Sequence, residues 1–295
     1  MNNTSNSLVS GIDPASFSAV TGPSQDLFRF VNGPWVDMYR LPDDRSRYGS
    51  FDKLAEDAEN QIRDILEEDD CPAVKSRALY HSFLDVDAID AAGLAAIEDQ
   101  LASIDEAEDK AALTRALGAM NPTGGPDLIG IAVYGDPGAP ETNVVHIEQD
   151  GLDLPDEAYY REDHYAPIRE AYVEMVAKQL KNAHLAAGDE DAHAQAKRFL
   201  DVETRIAANH WDNVSTRDSV KTYNPTDYAD LCAMLADVDL DAWIDAWQNA
   251  YDATTAAAVQ PLDFRGCFSH TIVHEPSFLT GLNAFWKEAS LDDLK

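Results

Sequence analysis

Apolar residues recur at helical spacing over most of the chain. The clearest stripe consists of Leu54, Ala55, Ala58, Ile62, Ile65 and Leu66, with acidic residues between them. This period predicts a helix that begins at Lys53, with Asp52 as its N-cap. The same period predicts further helices over 72–85, 88–103, 106–120, 168–180 and 192–206, around Tyr228, around Trp243, and from Ser277 onward.

Two short stretches have the character of β-strands instead. Residues 128–134 and 144–147 are rich in Ile and Val, and the turn-forming residues 135–138 lie between them, which predicts a hairpin with a long loop. A further short strand is predicted over 268–273, and a break in the chain at Gly33-Pro34. The predicted fold class is mainly α, a multi-helix lobe with a small β-hairpin or sheet insertion.

Composition suggests how the chain is divided. Residues 1–25 are polar and rich in Ser, Asn, Gly and Pro, so we predict a flexible amino-terminal arm. Residues 26–295 are predicted to form the folded lobe. The Pro- and Gly-rich stretch at 121–127 is the point at which this lobe could be subdivided.

Charge excludes some classes of partner. The 295 residues carry a formal net charge of −32, and a field of this sign repels phosphate, which argues against nucleic acid and anionic membranes as partners. The three cysteines are widely spaced, with no C-x-x-C pair, and the first residues lack the features of a signal peptide. No apolar run is long enough to span a bilayer. We therefore expect a cytoplasmic protein.

Motifs for catalysis or metal binding are scarce. The eight histidines include no H-E-x-x-H zinc motif, and neither a G-x-S-x-G elbow nor a phosphate-binding glycine loop occurs. His270 and His274 have i, i+4 spacing, but the β-branched residues between them indicate a strand, in which that spacing holds the two imidazoles far apart. The sequence therefore predicts no metal ion or other cofactor bound by this chain alone.

Arg47 and Asp52, at the start of the strongest predicted helix, are the remaining candidates. A guanidinium grips a carboxylate with two parallel hydrogen bonds, and a neighbouring Asp can hold it in one orientation. The same two residues could instead form an ion pair that ties the turn to the helix N-terminus, where an acidic side chain is favoured. The residues by themselves favour the ion pair, and both interpretations stay open at this point.

The same stretch opens an ordered series of motifs. In sequence order these are Asp26-x-Phe28-x-x-Val31-Asn32-Gly33-x-Trp35, Leu41-Pro42, Ser46-Arg47-Tyr48-Gly49-Ser50-Phe51-Asp52, His146-Ile147-Glu148-Gln149, Gly151-Leu152-Asp153-Leu154-Pro155, Tyr159-Tyr160, Arg217-Asp218-x-x-Lys221-Thr222-Tyr223-Asn224 and, more weakly, Glu275-Pro276-Ser277-Phe278-Leu279. From about Asp26 to the carboxyl end, the chain resembles the amino-terminal part of the M13 peptidases, which are neprilysin-like and PepO-type zinc endopeptidases.

The resemblance implies two largely helical lobes around a central cavity, with this chain as the lobe that caps the cavity. It implies that Arg47 contacts the carboxylate end of a bound peptide and that Asp52 belongs to the same subsite. It also implies zinc in the complete enzyme, held by an H-E-x-x-H motif in a carboxyl-terminal catalytic lobe that this chain lacks. Residues 283–286 look like the family's substrate-binding motif but come too early in the family order, so no role is assigned to them.

These expectations combine into one functional prediction and one alternative. We predict a truncated, amino-terminal segment of a zinc metalloendopeptidase or oligopeptidase, inactive alone because its catalytic part is missing. Its partners would be peptides and the missing catalytic lobe. The alternative is a non-catalytic helical module that binds peptides or other partners.

Overall fold

The computed structural model describes residues 12–68, 70, 72–126, 128–255 and 261–295. The chain forms two compact units, which comprise residues 1–91 and 92–295. The stretch at 121–127 lies inside the second unit, and the single lobe from residue 26 and its subdivision stay predictions. The described helices of the first unit are α1 (Leu27–Met38), α2 (Ser50–Glu67), α3 (Val74–Leu84) and α4 (Val86–Ala92), the last of which ends at the junction.

The second unit contains the other described helices and a small sheet. Its helices are α5 (Glu98–Asp105), α6 (Lys110–Met120), α7 (Ala158–Arg161), α8 (Ala166–Asn182), α9 (Asp189–Ala207), α10 (Tyr228–Met234), α11 (Leu240–Thr254), α12 (Phe264–Cys267), α13 (Pro276–Glu288) and α14 (Leu291–Leu294). Its strands are β1 (Ile129–Asp136), β2 (Ala139–Gln149), β3 (Asn224–Asp227) and β4 (His270–Val273). The predicted fold class, mainly α with a small sheet insertion, is confirmed.

The four strands form one sheet in the order β1-β2-β4-β3. The pairs β1–β2 and β3–β4 are antiparallel, whereas β2 and β4 run parallel, with Ile147 opposite Val273. The predicted hairpin is present, but its loop is shorter than expected. Residues 135–136 still belong to β1, so only residues 137–138 separate the two strands.

Two hydrophobic clusters hold the second unit together. One joins the sheet to α6, α11 and α13 and contains the fully buried side chains of Trp286 and Phe278. The other lies between α8 and α9 around Tyr172. Gly118 of α6 shows how closely the helices approach, because a Cβ atom there would lie 2.3 Å from the carbonyl oxygen of Trp243 in α11. A side chain at this position would force the two helices apart.

The first described helix continues through Pro34, where the sequence predicted a break. Proline lacks the N–H that would donate to the carbonyl of Phe30 within the helix. The N–H of Ser18 donates to that carbonyl at 2.7 Å instead, and the ring of Phe17 lies 5.0 Å from that of Phe30. The segment before α1 therefore supplies the missing hydrogen bond. Residues 1–11 of the predicted flexible arm lie outside the described residues, and its flexibility stays a prediction.

Two further boundaries differ from the predicted ones. The stretch 88–103 is divided into α4 and α5 by a turn in which Gly93 has a positive φ of 53°, a conformation that ends a helix. The helix predicted around Tyr228 is preceded by strand β3, which the sequence did not predict and whose four residues pair with β4. Asp227 caps this helix, α10, by accepting the N–H of Asp230 at 2.9 Å. Across the described residues, no helix combines the length and the apolar character needed to cross a membrane.

Candidate functional site

Three stacked aromatic rings organise the connection between α1 and α2. The rings of Trp35 and Tyr39 lie 4.7 Å apart, and the ring of Tyr48 stacks on Tyr39 at 4.6 Å. The Tyr48 hydroxyl donates to Glu56 Oε2 at 2.6 Å, and this bond, helped by desolvation, raises the pKa of Tyr48. The connection is thereby fixed to the first two turns of α2. The i, i+4 spacing of Trp35 and Tyr39 is the sequence signal for this stack, since residues four apart lie on the same side of a helix.

Asp52 lies in the first turn of α2, which begins at Ser50, three residues earlier than predicted. Gly49 is the N-cap, and its N–H donates to Asp52 Oδ2 at 2.7 Å. The prediction of Asp52 as the N-cap was wrong because an acidic side chain at the third helical position can also reach back to the cap. The hydrogen bond holds the carboxylate over the start of the helix, where the helix dipole favours a negative charge.

Arg45, and not Arg47, makes the ion pair with Asp52. The Nη1 atom of Arg45 lies 3.9 Å from Asp52 Oδ1, and its Nη2 atom lies 3.2 Å from Glu56 Oε1. Its guanidinium carbon lies 5.8 Å from the centre of the Tyr48 ring. Arg45 therefore takes up the structural role that the sequence favoured for Arg47. The sequence could not separate two arginines that flank a single serine, because the path of the turn decides which one faces α2.

Arg47 is exposed, and it makes no hydrogen bond or ion pair with any residue that the structure describes. The expected ion pair between Arg47 and Asp52 is therefore not formed within the described chain. Asp52 is compensated by Arg45 and by the N–H of Gly49, which leaves all the donors of the Arg47 guanidinium available to a ligand. A planar fork of this kind suits a carboxylate.

The motif residues of the second unit, in contrast, use their polar groups for hydrogen bonds within that unit. The Gln149 side chain donates to the carbonyl of Trp211 at 3.0 Å and accepts the N–H of Trp211 at 2.7 Å. The N–H of Gln149 donates to Glu275 Oε2 at 3.0 Å, and burial raises the pKa of Glu275. Asn224 Nδ2 donates to the carbonyl of Val273 at 2.9 Å. These contacts join β2, β3, β4 and the loop after α9 into one framework.

The segment that follows β2 is held by a buried polar network. Glu203 accepts the N–H of Asp153 at 2.9 Å and the hydroxyl of Tyr172 at 2.8 Å. The Tyr160 hydroxyl accepts the N–H of Leu154 at 3.0 Å. Burial raises the pKa of Glu203, whose side chain is almost fully enclosed. This network anchors the loop.

A cleft of about 700 Å³ lies beside this network, between α7, α9 and the segment that follows α9. The cations that line it have partners within the chain. Arg161 is paired with Glu157, which raises the pKa of Arg161, and Lys221 Nζ lies 3.7 Å from Asp218 Oδ2. Since these charges are compensated, the cleft is less suited than Arg47 to an anionic peptide end.

The histidines of the second unit do not assemble into a metal site. His270 Nε2 lies 3.5 Å from Asp136 Oδ2, whereas His274 Nε2 lies 2.9 Å from His146 Nδ1. Burial lowers the pKa of His274. Within the described ranges, no group of three or more His, Cys, Asp or Glu side chains could hold a metal ion. The residues present therefore do not fit the zinc that the resemblance implies for the complete enzyme.

Residues 283–286, which look like a substrate-binding motif, have structural roles on α13. Asn283 Oδ1 accepts the N–H of Asp237 at 2.7 Å. Phe285 and Trp286 are buried in the main core. The side chains of Asn283, Phe285 and Trp286 therefore contribute to the packing of α13 within the second unit.

The chain is similar to known zinc peptidases over almost its whole length. The model for the amino-terminal part of peptidase family M13 matches residues 23–295. Human neprilysin is 25% identical over 298 aligned residues, which cover 94% of this chain and 39% of neprilysin. The structure of the Mycobacterium tuberculosis zinc metalloprotease Zmp1 in complex with an inhibitor matches with a TM-score of 0.81 and 31% identity, over 97% of this chain and 42% of Zmp1.

A more distant structural match shows the fold alone. PepO from Lactobacillus rhamnosis has a TM-score of 0.70 at 18% identity, over 93% of this chain and 41% of PepO. The chain therefore spans about two fifths of the length of each of these relatives.

Proposed function

Because the chain belongs to peptidase family M13, we propose that it is the substrate-binding, amino-terminal portion of a zinc peptidase that acts on peptides. Arg47 binds the carboxylate end of the peptide, and Asp52 belongs to the same subsite. Zinc and the catalytic groups belong to a portion of the enzyme that this chain does not span, and the chain alone is inactive. The cytoplasmic location expected from the sequence stays a prediction.

The free guanidinium of Arg47 is the observation that carries this proposal. Arg47 is exposed without a partner among the described residues, whereas Arg45 is engaged with Asp52 and Glu56. The turn that carries Arg47 is fixed on both sides, by the Arg45–Glu56 ion pair before it and by the Tyr48 ring stack and the Gly49–Asp52 hydrogen bond after it. Because the backbone is fixed, the conformational entropy lost on binding is limited to that of the Arg47 side chain.

A titration with short peptides tests the role of Arg47. We expect a tripeptide with a free carboxyl terminus to shift the backbone amide signals of residues 47–52 in NMR spectra, and the same peptide with an amidated terminus to leave them in place. Arg47→Ala abolishes the shifts. Arg40→Ala is the matched control, because Arg40 is an exposed arginine of the same connection and its removal costs the same charge. Equal shifts with the amidated peptide, or shifts that survive Arg47→Ala, would contradict the proposal.

The inactivity of the chain alone has its own test. We expect purified protein to contain no stoichiometric zinc and to cleave no peptide after zinc is added. Metal analysis by mass spectrometry and an assay with a quenched fluorescent peptide measure the two quantities. Stoichiometric zinc together with peptide cleavage would overturn this part of the proposal.

A further inference from the structure

The two outer strands of the sheet in the second unit differ in how they are protected. These strands are β1 and β3. The four residues of β3 include Pro225 and Asp227, and a short strand, a proline and a charge each discourage pairing with a further strand. Residues 129–135 of β1, in contrast, include no charged residue and no proline. Strand β1 therefore lacks the features by which edge strands avoid pairing.

The pairing of β2 determines which backbone groups of β1 point outward. The N–H of His274 donates to the carbonyl of Ile147 in β2 at 2.8 Å, so the backbone groups of Ile147 point towards β4. Ile131 of β1 lies opposite Ile147 and forms a non-hydrogen-bonded pair with it, because antiparallel pairs alternate between the two kinds. The N–H and C=O groups of Ile131 and Val133 therefore point outward, whereas those of Ala132 point towards β2.

The outward-pointing groups of residues 129–135, which we call the β1 edge, are unpaired in the part of the chain that the structure describes. Within the described ranges, these residues make no hydrogen bond outside the ladder with β2. Val133 is 64% exposed and Tyr134 61%. The register of the ladder shifts only at the hairpin end, between Gly135 and Asp136. The β1 edge is thus a regular, accessible template for an extended segment.

One face of the sheet beside this edge carries acidic side chains. A Cβ atom at Gly130 would lie 3.5 Å from Glu148 Cβ and 3.6 Å from Asp150 Oδ2. Among the described residues, no lysine or arginine pairs with Glu148 or Asp150. Glu148 Oε1 lies 3.6 Å from His274 Nδ1, but burial lowers the pKa of His274 and leaves it neutral at about pH 7. A basic side chain that lies beside Gly130 is therefore favoured at this face.

We propose that the β1 edge binds an extended peptide as an additional strand of the sheet, with a preference for a basic side chain beside Gly130. The peptide pairs through its main chain, so the edge accepts varied sequences. A second copy of this chain is a poorer occupant, because each copy carries a net charge of −32 and like charges repel. The inference rests on the proposed function, since it takes peptides to be the ligands of this chain.

Hydrogen exchange followed by NMR tests the pairing residue by residue. The probe is a peptide of about seven residues, with alternating threonine and valine around a central lysine, acetylated and amidated at its ends. We expect the amides of Ile131 and Val133 to exchange rapidly in the chain alone and to be protected by the peptide. The amides of Ala132 and Tyr134, which are bonded to β2, are protected in both states. The same peptide with N-methyl groups on its three central residues gives no protection.

Variants of the chain test the same contacts from the protein side. Val133→Pro removes an outward N–H without breaking a bond to β2, and we expect it to weaken peptide binding in calorimetry by about tenfold. Val133→Ala removes the same side chain but keeps the N–H, and it changes the affinity by less than about threefold. Glu148→Gln weakens binding of the lysine peptide by about threefold and leaves binding of a norleucine peptide unchanged. Melting temperatures confirm that the variants are folded.

The other outcomes overturn the proposal. Protection of the Ile131 and Val133 amides in the monomeric chain alone would show that the chain covers its own edge. The same protection in a dimer, detected by sedimentation, would indicate a second copy. Absence of binding, or equal binding of the N-methylated peptide, would exclude strand pairing, and the latter comparison needs no change in the protein. Equal effects of Val133→Pro and Val133→Ala would do the same.

This test is separable from that of the proposed function. The amidated probe has no terminal carboxylate for Arg47, so we expect Arg47→Ala to leave the protection of Ile131 and Val133 unchanged. Conversely, Val133→Pro leaves the shifts that a free carboxyl terminus causes in residues 47–52. Absence of protection at β1 with normal Arg47-dependent shifts counts against the β1 edge alone. Protection at β1 without those shifts counts against the proposed role of Arg47 alone.

Discussion

Glu203 is the residue at which hydrogen bonding in the second unit can be separated from charge. It is 4% exposed and accepts hydrogen bonds from the Asp153 N–H and the Tyr172 hydroxyl. A glutamine at this position keeps one oxygen for the Asp153 N–H and presents its NH₂ group to Tyr172, whose hydroxyl can turn to Asp153 Oδ2 at 3.0 Å. A leucine has a similar volume but accepts neither hydrogen bond. We therefore compare Glu203→Gln with Glu203→Leu.

The expected difference between these two variants follows from the unpaired groups. In Glu203→Leu the partly buried Asp153 N–H loses its acceptor, which costs about 1 kcal/mol, and a hydrogen bond to Tyr172 worth about 1 kcal/mol is lost. We expect Glu203→Leu to be less stable than Glu203→Gln by about 2 kcal/mol. For a unit of this size that corresponds to a melting temperature lower by roughly 4–8 °C. Both variants are neutral, so the desolvation of the charge cancels in the comparison.

The pH dependence supplies a second, independent readout. Burial raises the pKa of Glu203 above 4.5, so the folded state binds this proton more tightly than the unfolded state. The wild type therefore gains stability relative to Glu203→Gln as the pH falls through the raised pKa towards 4.5. Thermal unfolding followed by circular dichroism at about pH 7 and about pH 5 measures both effects. Equal melting temperatures for the two variants, or a wild type that loses stability relative to Glu203→Gln at the lower pH, would refute the reasoning.

Two further predictions concern the sheet and the main core. Burial lowers the pKa of His274, so the unfolded chain takes up this proton more readily and the wild type loses stability as the pH falls below about 6.5. We expect the free energy of unfolding, measured with urea at several pH values, to fall less steeply with decreasing pH in His274→Gln than in the wild type. The same dependence on pH in both proteins would contradict this prediction. Gly118→Ala places a Cβ atom 2.3 Å from the Trp243 carbonyl and should cost about 2 kcal/mol. Gly188→Ala, with no atom within 4 Å, should cost less than about 0.5 kcal/mol; equal urea midpoints would contradict this.

The helices of the chain were predictable because apolar residues recur at helical spacing on the face that requires burial. The α2 helix shows that this spacing predicts a helix even when nothing in the described chain covers its apolar face. Its stripe predicted a helix correctly, yet Leu54 and Ile62 are exposed in this chain. Apolar periodicity indicates that one face of a helix favours burial, but it does not identify the residues that cover this face. Only the structure shows which apolar faces are buried and which are exposed.

The missed features share a different cause, which is dependence on residues distant in sequence. Pro34 should end a helix, but α1 continues because Ser18 bonds the carbonyl that proline leaves free. The four residues of β3 form a strand because β4 offers them an edge across more than forty residues. No local property of Pro34 or of residues 224–227 reveals such a partner. These errors are therefore expected wherever a long-range hydrogen bond overrides a local preference.

The candidate site could be located only by separating side chains that are hydrogen-bonded within the described chain from those that are not. Gln149 and Arg47 both belong to motifs that carry the family resemblance, and both have side chains that could bind a peptide. The donor and the acceptor of the Gln149 side chain are paired with Trp211, so a ligand would have to displace a bond that holds the framework together. Arg47 has no described partner to lose, and Arg45 already compensates the nearby acid. A new hydrogen bond to Arg47 therefore replaces bonds to water and breaks none within the described protein, which makes Arg47 the stronger candidate for binding a peptide carboxylate.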